Sequence, residues 1–127
     1  MFNQTPIFSS YSVKHIDKAL EFYHDILGLN VTQTNEGLSI NQLGSMVFLY
    51  PKLDHEPASF TVLNFKVEDI DKVVEALKMK GVSIDRYDTV DMKSDDKGIF
   101  RGKASGNGPD IAWFKDPDGN ILSVLQE

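Results

Sequence analysis

The side chains in this sequence that could do chemistry are few and far apart. There is no cysteine, so thiolate nucleophiles, disulfides and cysteine-ligated metals are excluded, and a bound metal would need His, Asp, Glu or amide oxygen. The three histidines are His15 at the start of a helical stretch, His24 one residue beyond Tyr23, and His55 in a connector. Each is read as solvated or locally hydrogen-bonded rather than as a ligand or base. Asp91, Asp95 and Asp96 lie in an irregular stretch, 88–110, with glycines at 98, 102, 106 and 108. The Asp-x-Asp-x-Asp-Gly spacing of a calcium loop is missing there. That stretch is expected either to cover a site or to form a solvated hairpin of mixed charge turning at Ser94–Gly98. What remains is binding chemistry: the hydroxyl, amide and ammonium groups of Ser10, Ser12, Asn64 and Lys66, and the aromatics Phe48, Tyr50, Phe100 and Trp113.

A formal charge of −6, from 13 basic and 19 acidic residues, opposes binding to nucleic acid phosphates and would favour a cationic small molecule. Composition is that of a globular chain, 41% apolar and 25% charged. Apolar runs such as Met46–Tyr50 fall far short of the ~20 residues that span a bilayer, and the first residues lack a signal-peptide pattern. No membrane partner and a cytoplasmic location are therefore expected.

The elements that must position these groups come from a duplication. Val13–Glu21 returns 54 residues later as Val67–Glu75, with five of nine positions identical. In both copies apolar residues fall at i, i+3, i+4 and i+7: Ile16, Ala19, Leu20 and Tyr23, then Ile70, Val73, Val74 and Leu77. That is one face of an amphipathic helix, ended by Gly28 in the first copy and Gly81 in the second. Asp69 suits the N-cap of the second helix; His15 is a poorer cap for the first. An extended segment precedes each helix, Pro6–Val13 and Phe60–Val67. Short β-like runs follow, Leu29–Thr34, Leu38–Leu43 and Met46–Tyr50, then Val82–Tyr87, Ile99–Arg101, Ile111–Lys115 and Ile121–Leu125. Lys52–Ser59 is the connector. The expected fold is α+β, one domain over 1–127 made of two tandem βαβββ modules, about 5–51 and about 60–126. Alternation sets Tyr11 and Val13 against the helix, leaving Phe8, Ser10 and Ser12, and by the repeat Val62, Asn64 and Lys66, on the opposite face.

The segment from Val13 through Phe22-Tyr23 to Leu27-Gly28-Leu29, paired with Trp113-Phe114-Lys115-Asp116-Pro117-Asp118-Gly119-Asn120-Ile121-Leu122, resembles the signature of the vicinal-oxygen-chelate superfamily, the glyoxalase, bleomycin-resistance and extradiol dioxygenase fold. Locally, the second motif is a turn in which Pro117 presets one angle, Asp118 can bond back to the main chain, and Gly119 and Asn120 accept positive φ. The resemblance implies sheets curving around a cleft, and in enzymatic members a divalent metal held by His, Gln or Glu. Its ligand positions fall on Phe8, Val62 and Ser123, with a fourth on the strand of Phe48 and Tyr50, and none of these is a His or a carboxylate. The expectation is thus a protein without cofactor that binds a small organic molecule, cationic or aromatic, through Phe8, Ser10, Ser12, Phe48, Tyr50, Val62, Asn64, Lys66, Phe100, Trp113 and Ser123. The alternatives are a metal-dependent lyase, isomerase or dioxygenase with atypical ligands, and a metal-independent enzyme using Ser, Tyr or Lys. The resemblance also implies a homodimer.

Overall fold

The computed structural model describes residues 1–127, which form two compact units, Met1–Pro57 and Ala58–Glu127. In the first unit the order is β1 (Ser9–Val13), α1 (Ile16–Leu20), β2 (Val31–Gln33), β3 (Leu38–Gln42) and β4 (Ser45–Pro51). The sheet runs β1-β4-β3-β2, with β1 parallel to β4 and the other pairs antiparallel. In the second unit β5 (Thr61–Lys66), α2 (Ile70–Met79), β6 (Ile84–Asp85), β7 (Phe100–Arg101), α3 (Gly102–Ser105), β8 (Asp110–Lys115) and β9 (Ile121–Gln126) follow. Its sheet runs β5-β9-β8-β6, with β5 parallel to β9 and β7 also paired to β8. The sequence repeat is therefore a repeat of sheet order.

The four β-like runs after the second helix reduce to three ladder positions. Ile84 and Asp85 pair with Phe114 and Trp113, while Phe100 and Arg101 pair with Ile111 and Asp110, in the same direction along one edge of β8. β6 and β7 are one edge strand interrupted by residues 86–99. The expected run Val82–Tyr87 shrinks accordingly, because Arg86 and Tyr87 already belong to the excursion.

Helix faces follow the periodicity with one deviation. In α2, Ile70, Val74 and Leu77 are buried, and the Asp69 carboxylate caps the helix by accepting from the Lys72 amide at 3.2 Å. After α1 the helix widens to π geometry over Glu21–Ile26. The extra residue per turn brings Phe22 inward beside Tyr23, their rings edge to face at 5.2 Å, although Phe22 stands outside the 3.6-residue period. Each fully buried large side chain of this kind, Tyr23, Phe114 or Leu122, is worth roughly 1.5–3 kcal/mol of hydrophobic free energy. Gly28 and Gly81 end the two helices at φ +74° and +85°, as expected.

Two turns differ from the sequence reading. Leu43, expected inside a strand, occupies the two-residue hairpin turn Leu43-Gly44 at φ 47° and is fully exposed. In the Asp-Pro-Asp-Gly-Asn turn, Asp116 carries the bonding: one oxygen accepts from the amides of Asp118 and Asn120 at 3.0 and 2.9 Å, and the other from Asn120 Nδ2 at 2.8 Å. Asn120 does not take positive φ; it is buried, its side chain spent on Asp116.

Candidate functional site

In the first unit Tyr11 turns toward the helix, donating to the Tyr23 hydroxyl at 2.9 Å, and Val13 is buried beside it. Ser10 and Ser12 consequently share the other face, and register adds two of the expected aromatics, since Ser10 lies opposite Phe48 and Ser12 opposite Tyr50. Phe8 precedes β1 and is 62% exposed, so it is not held by the ladder as the strand Pro6–Val13 would require. The largest departure is His55. Its Nδ1 lies 2.6 Å from Ser12 Oγ, because the connector folds back: the Lys52 amide donates to the Val13 carbonyl at 2.9 Å and the His55 amide to the Lys52 carbonyl at 3.0 Å. His55 therefore joins the face from which the sequence reading excluded it. His24 bonds its neighbour Asp25 at 2.6 Å, as a locally bonded surface histidine should.

The second unit assembles a denser set. Across β5, β9 and β8 the row Asn64, Ser123 and Trp113 is in register, and Ser123, though on the face opposite α2, is fully buried. Its hydroxyl donates to Asn64 Oδ1 at 2.5 Å. Trp113 Nε1 donates to Thr61 Oγ1 at 3.1 Å, and the Tyr87 ring meets the indole edge to face at 5.0 Å. Lys66 shares this face through its register with Leu125, and Phe100 through its register with Ile111, two residues before Trp113. Two lysines carry the positive charge. The Glu127 carboxylate, 2.6 Å from Lys66, raises that ammonium's pKa, and Asp85, 2.8 Å from Lys115, does the same there.

Thr61 and Tyr87 were missed by sequence reasoning. A bulge between Thr61 and Leu63 breaks the alternation, so Thr61 reaches Trp113 on the face where strict alternation places only Val62. The available signal was the unalternating run Phe60-Thr61-Val62-Leu63.

The excursion 86–99 that delivers Tyr87 is pinned by charge. Arg101 contacts Asp71 of α2 at 2.7 Å, Asp95 at 2.9 Å and Asp110 at 3.4 Å, while Lys97 reaches Asp71 at 2.9 Å. Arg101 and Lys97 hold the Asp71 carboxyl well below the usual carboxylate range. Burial alone would raise Asp95, but the Ile99 amide, Arg101 and the Lys97 amide outweigh it and the net shift is downward. The turn expected at 94–98 is present, with Asp95 Oδ1 accepting from the amides of Lys97 and Ile99, both at 2.9 Å. Arg86 adds two bonds to the carbonyls of Asp95 and Asp96.

Beside a sheet order repeated in both units, with the Asp116–Asn120 turn joining the last two strands, the sequence profile of the Glyoxalase/Bleomycin resistance protein/Dioxygenase superfamily matches residues 8–124 and decides the family. The chain belongs to that superfamily. It is similar to the uncharacterized protein YraH of Bacillus subtilis (strain 168), 30% identical across 90% of this chain and 91% of that protein. A probable lactoylglutathione lyase of Vibrio parahaemolyticus is 23% identical, across 99% and 93%. Among solved structures, TnmS3, an antibiotic-binding protein from Streptomyces sp. CB03234, superposes with a TM-score of 0.65 at 22% identity, covering 97% of each chain.

A metal of the kind used by enzymatic members of the glyoxalase superfamily does not fit the residues present. Phe8 and Val62 offer no lone pair, and Ser123, at the position where a carboxylate is customary, commits its proton to Asn64. No group of three or more His, Asp or Glu side chains is placed to hold a metal ion. No helix is long and apolar enough to cross a membrane.

Proposed function

We propose that this superfamily member binds a small organic molecule without a metal, on the sheet face that carries Trp113, Asn64 and Thr61. One observation carries the reading. At the position where an enzymatic relative would present a carboxylate to a metal, Ser123 is buried and spends its hydroxyl on Asn64, so the site is built as a hydrogen-bonded surface and not as a coordination sphere. The half-buried indole beside it supplies area for a planar ligand, fixed on one side by Thr61 and on the other by Tyr87. Ser10, Ser12, Phe48 and Tyr50, now with His55, form the corresponding surface of the first unit. The fold does not choose between this reading and a lyase, since relatives named for binding and for lysis share it; the residues at the ligand positions are what support binding.

The deciding experiment is elemental analysis of untagged protein, purified without chelator and then equilibrated in turn with manganese, iron, nickel and zinc salts. The reading expects less than a tenth of an equivalent of each after desalting, on the order set by the missing donors. One equivalent of any of them, lost on replacing a candidate ligand, would overturn it in favour of metal-dependent lysis or dioxygenation. A homodimer and a cytoplasmic location belong to the same proposal, checked by equilibrium sedimentation and by fractionation.

A further inference from the structure

We infer that the ligand of this face is a neutral, planar molecule bearing a hydrogen-bond acceptor such as an aryl ketone, and not the cation that the chain's net charge favours. The inference rests on the binding reading above and comes from counting which polar atoms are already spent.

The Asn64 amide faces Ser123 with Oδ1, which accepts from the serine hydroxyl. A carbonyl oxygen only accepts, so Ser123 donates, and the Asn64 amide is oriented with its Nδ2 hydrogens away from the buried serine. Asn64 is exposed, and those two donors have no partner in the protein. Thr61 is biased the same way. Its oxygen accepts from Trp113 Nε1, leaving its own proton to give. The indole N–H is consumed in that bond. The charges on the face are matched, Lys66 by Glu127 and Lys115 by Asp85, so neither an unpaired carboxylate nor an unpaired ammonium selects an ion. The face therefore presents N–H and O–H donors beside an aromatic wall. An acceptor oxygen can take the uncommitted hydrogens of Asn64 Nδ2 or Thr61 Oγ1, whereas an ammonium finds no carboxylate left unpaired.

The test compares two probes of nearly equal shape, acetonaphthone and naphthylmethylammonium, titrated into the intact chain. Binding is read in proton–nitrogen correlation spectra, in which the single tryptophan gives one indole signal and Asn64 one side-chain amide pair. The expected result is that acetonaphthone binds about tenfold more tightly, the scale of one net hydrogen bond, and shifts the Asn64 amide pair. Asn64→Asp still accepts from Ser123 but has no N–H to give, so it should weaken the ketone about tenfold and put the ammonium first. Equal or tighter binding of the ammonium to the wild-type chain would overturn the inference while sparing the binding reading. So would an unchanged probe order in the aspartate variant. If neither probe moves the indole signal up to its solubility limit, the reading of this face as a ligand site falls and this inference falls with it. The wild-type comparison stands whether or not the variant folds.

Discussion

Replacing Arg101 by Met tests whether the excursion that carries Tyr87 is held by charge. The guanidinium makes contacts of 2.7, 2.9 and 3.4 Å to Asp71, Asp95 and Asp110 and is itself 35% exposed. A hydrogen bond between charged groups is worth about 1.5–3 kcal/mol, but contacts sharing one guanidinium are not additive and solvent at this exposure screens them. A net loss of about 2 kcal/mol follows, including the cost of leaving Asp110, 13% exposed, without its cation. For a chain of 127 residues that is a fall in Tm of roughly 6–10 °C at neutral pH. The pH dependence supplies the control. Asp71 and Asp95 both titrate lower in the folded chain than in the unfolded one, where a carboxyl loses its proton near ~3.9. Their stabilisation is complete above that value and is lost as the pH falls through the folded values, because the native state must then take up protons it binds weakly. Calorimetry at neutral pH and near ~pH 2 should therefore show the wild type and the methionine variant converging in acid. A drop of less than about 2 °C at neutral pH, or a gap of equal size in acid, would refute the assignment of the excursion's anchorage to this web.

Three further outcomes are expected. Trp113→Ala should remain folded yet lose the thermal protection that acetonaphthone gives the wild type; protection undiminished would remove Trp113 from the site, whatever its contacts with Thr61 and Tyr87. Gly37→Ala should destabilise by about 3 kcal/mol or more, seen as a lower denaturant midpoint, because the new methyl would sit 2.1 Å from the Leu49 carbonyl oxygen within a packed sheet. Leu43→Asn should raise Tm by a few degrees, since Leu43 holds left-handed geometry at φ 47° with its side chain in solvent, and asparagine tolerates that geometry better; an unchanged or lower Tm would count against the turn as described.

The parts of the fold that were legible in the sequence are those whose information is local. Helix α2 shows this well: its buried residues, the cap at Asp69 and the stop at Gly81 all lie within one short window, and each was read correctly. The opposed placement of Tyr11 and Ser12 was also legible, because strand alternation has a period of two and β1 keeps it. Failures begin where one residue is inserted or where partners lie far apart in the chain. The bulge at Thr61 shifts a side chain to the other face, and the π widening after Leu20 does the same for Phe22; a strict period cannot express either. Ser12 and His55 are 43 residues apart, and Arg101 and Asp71 are 30 apart. Nothing within either window announces the partner.

This difference has a consequence for the site itself. Residue types alone made the proposed ligand face a list of hydroxyls, amides and aromatics, open to a cationic or an aromatic ligand. Hydrogen-bond direction exists only once Ser123 and Asn64 are brought together across parallel strands, and it is this that supports the proposed neutral acceptor over a cation. On the proposed reading, ligand preference depends on β5–β9 pairing as much as on composition. It follows that Ser123→Ala, which frees the Asn64 amide to rotate, should blur the discrimination between ketone and ammonium without removing a single group that touches either.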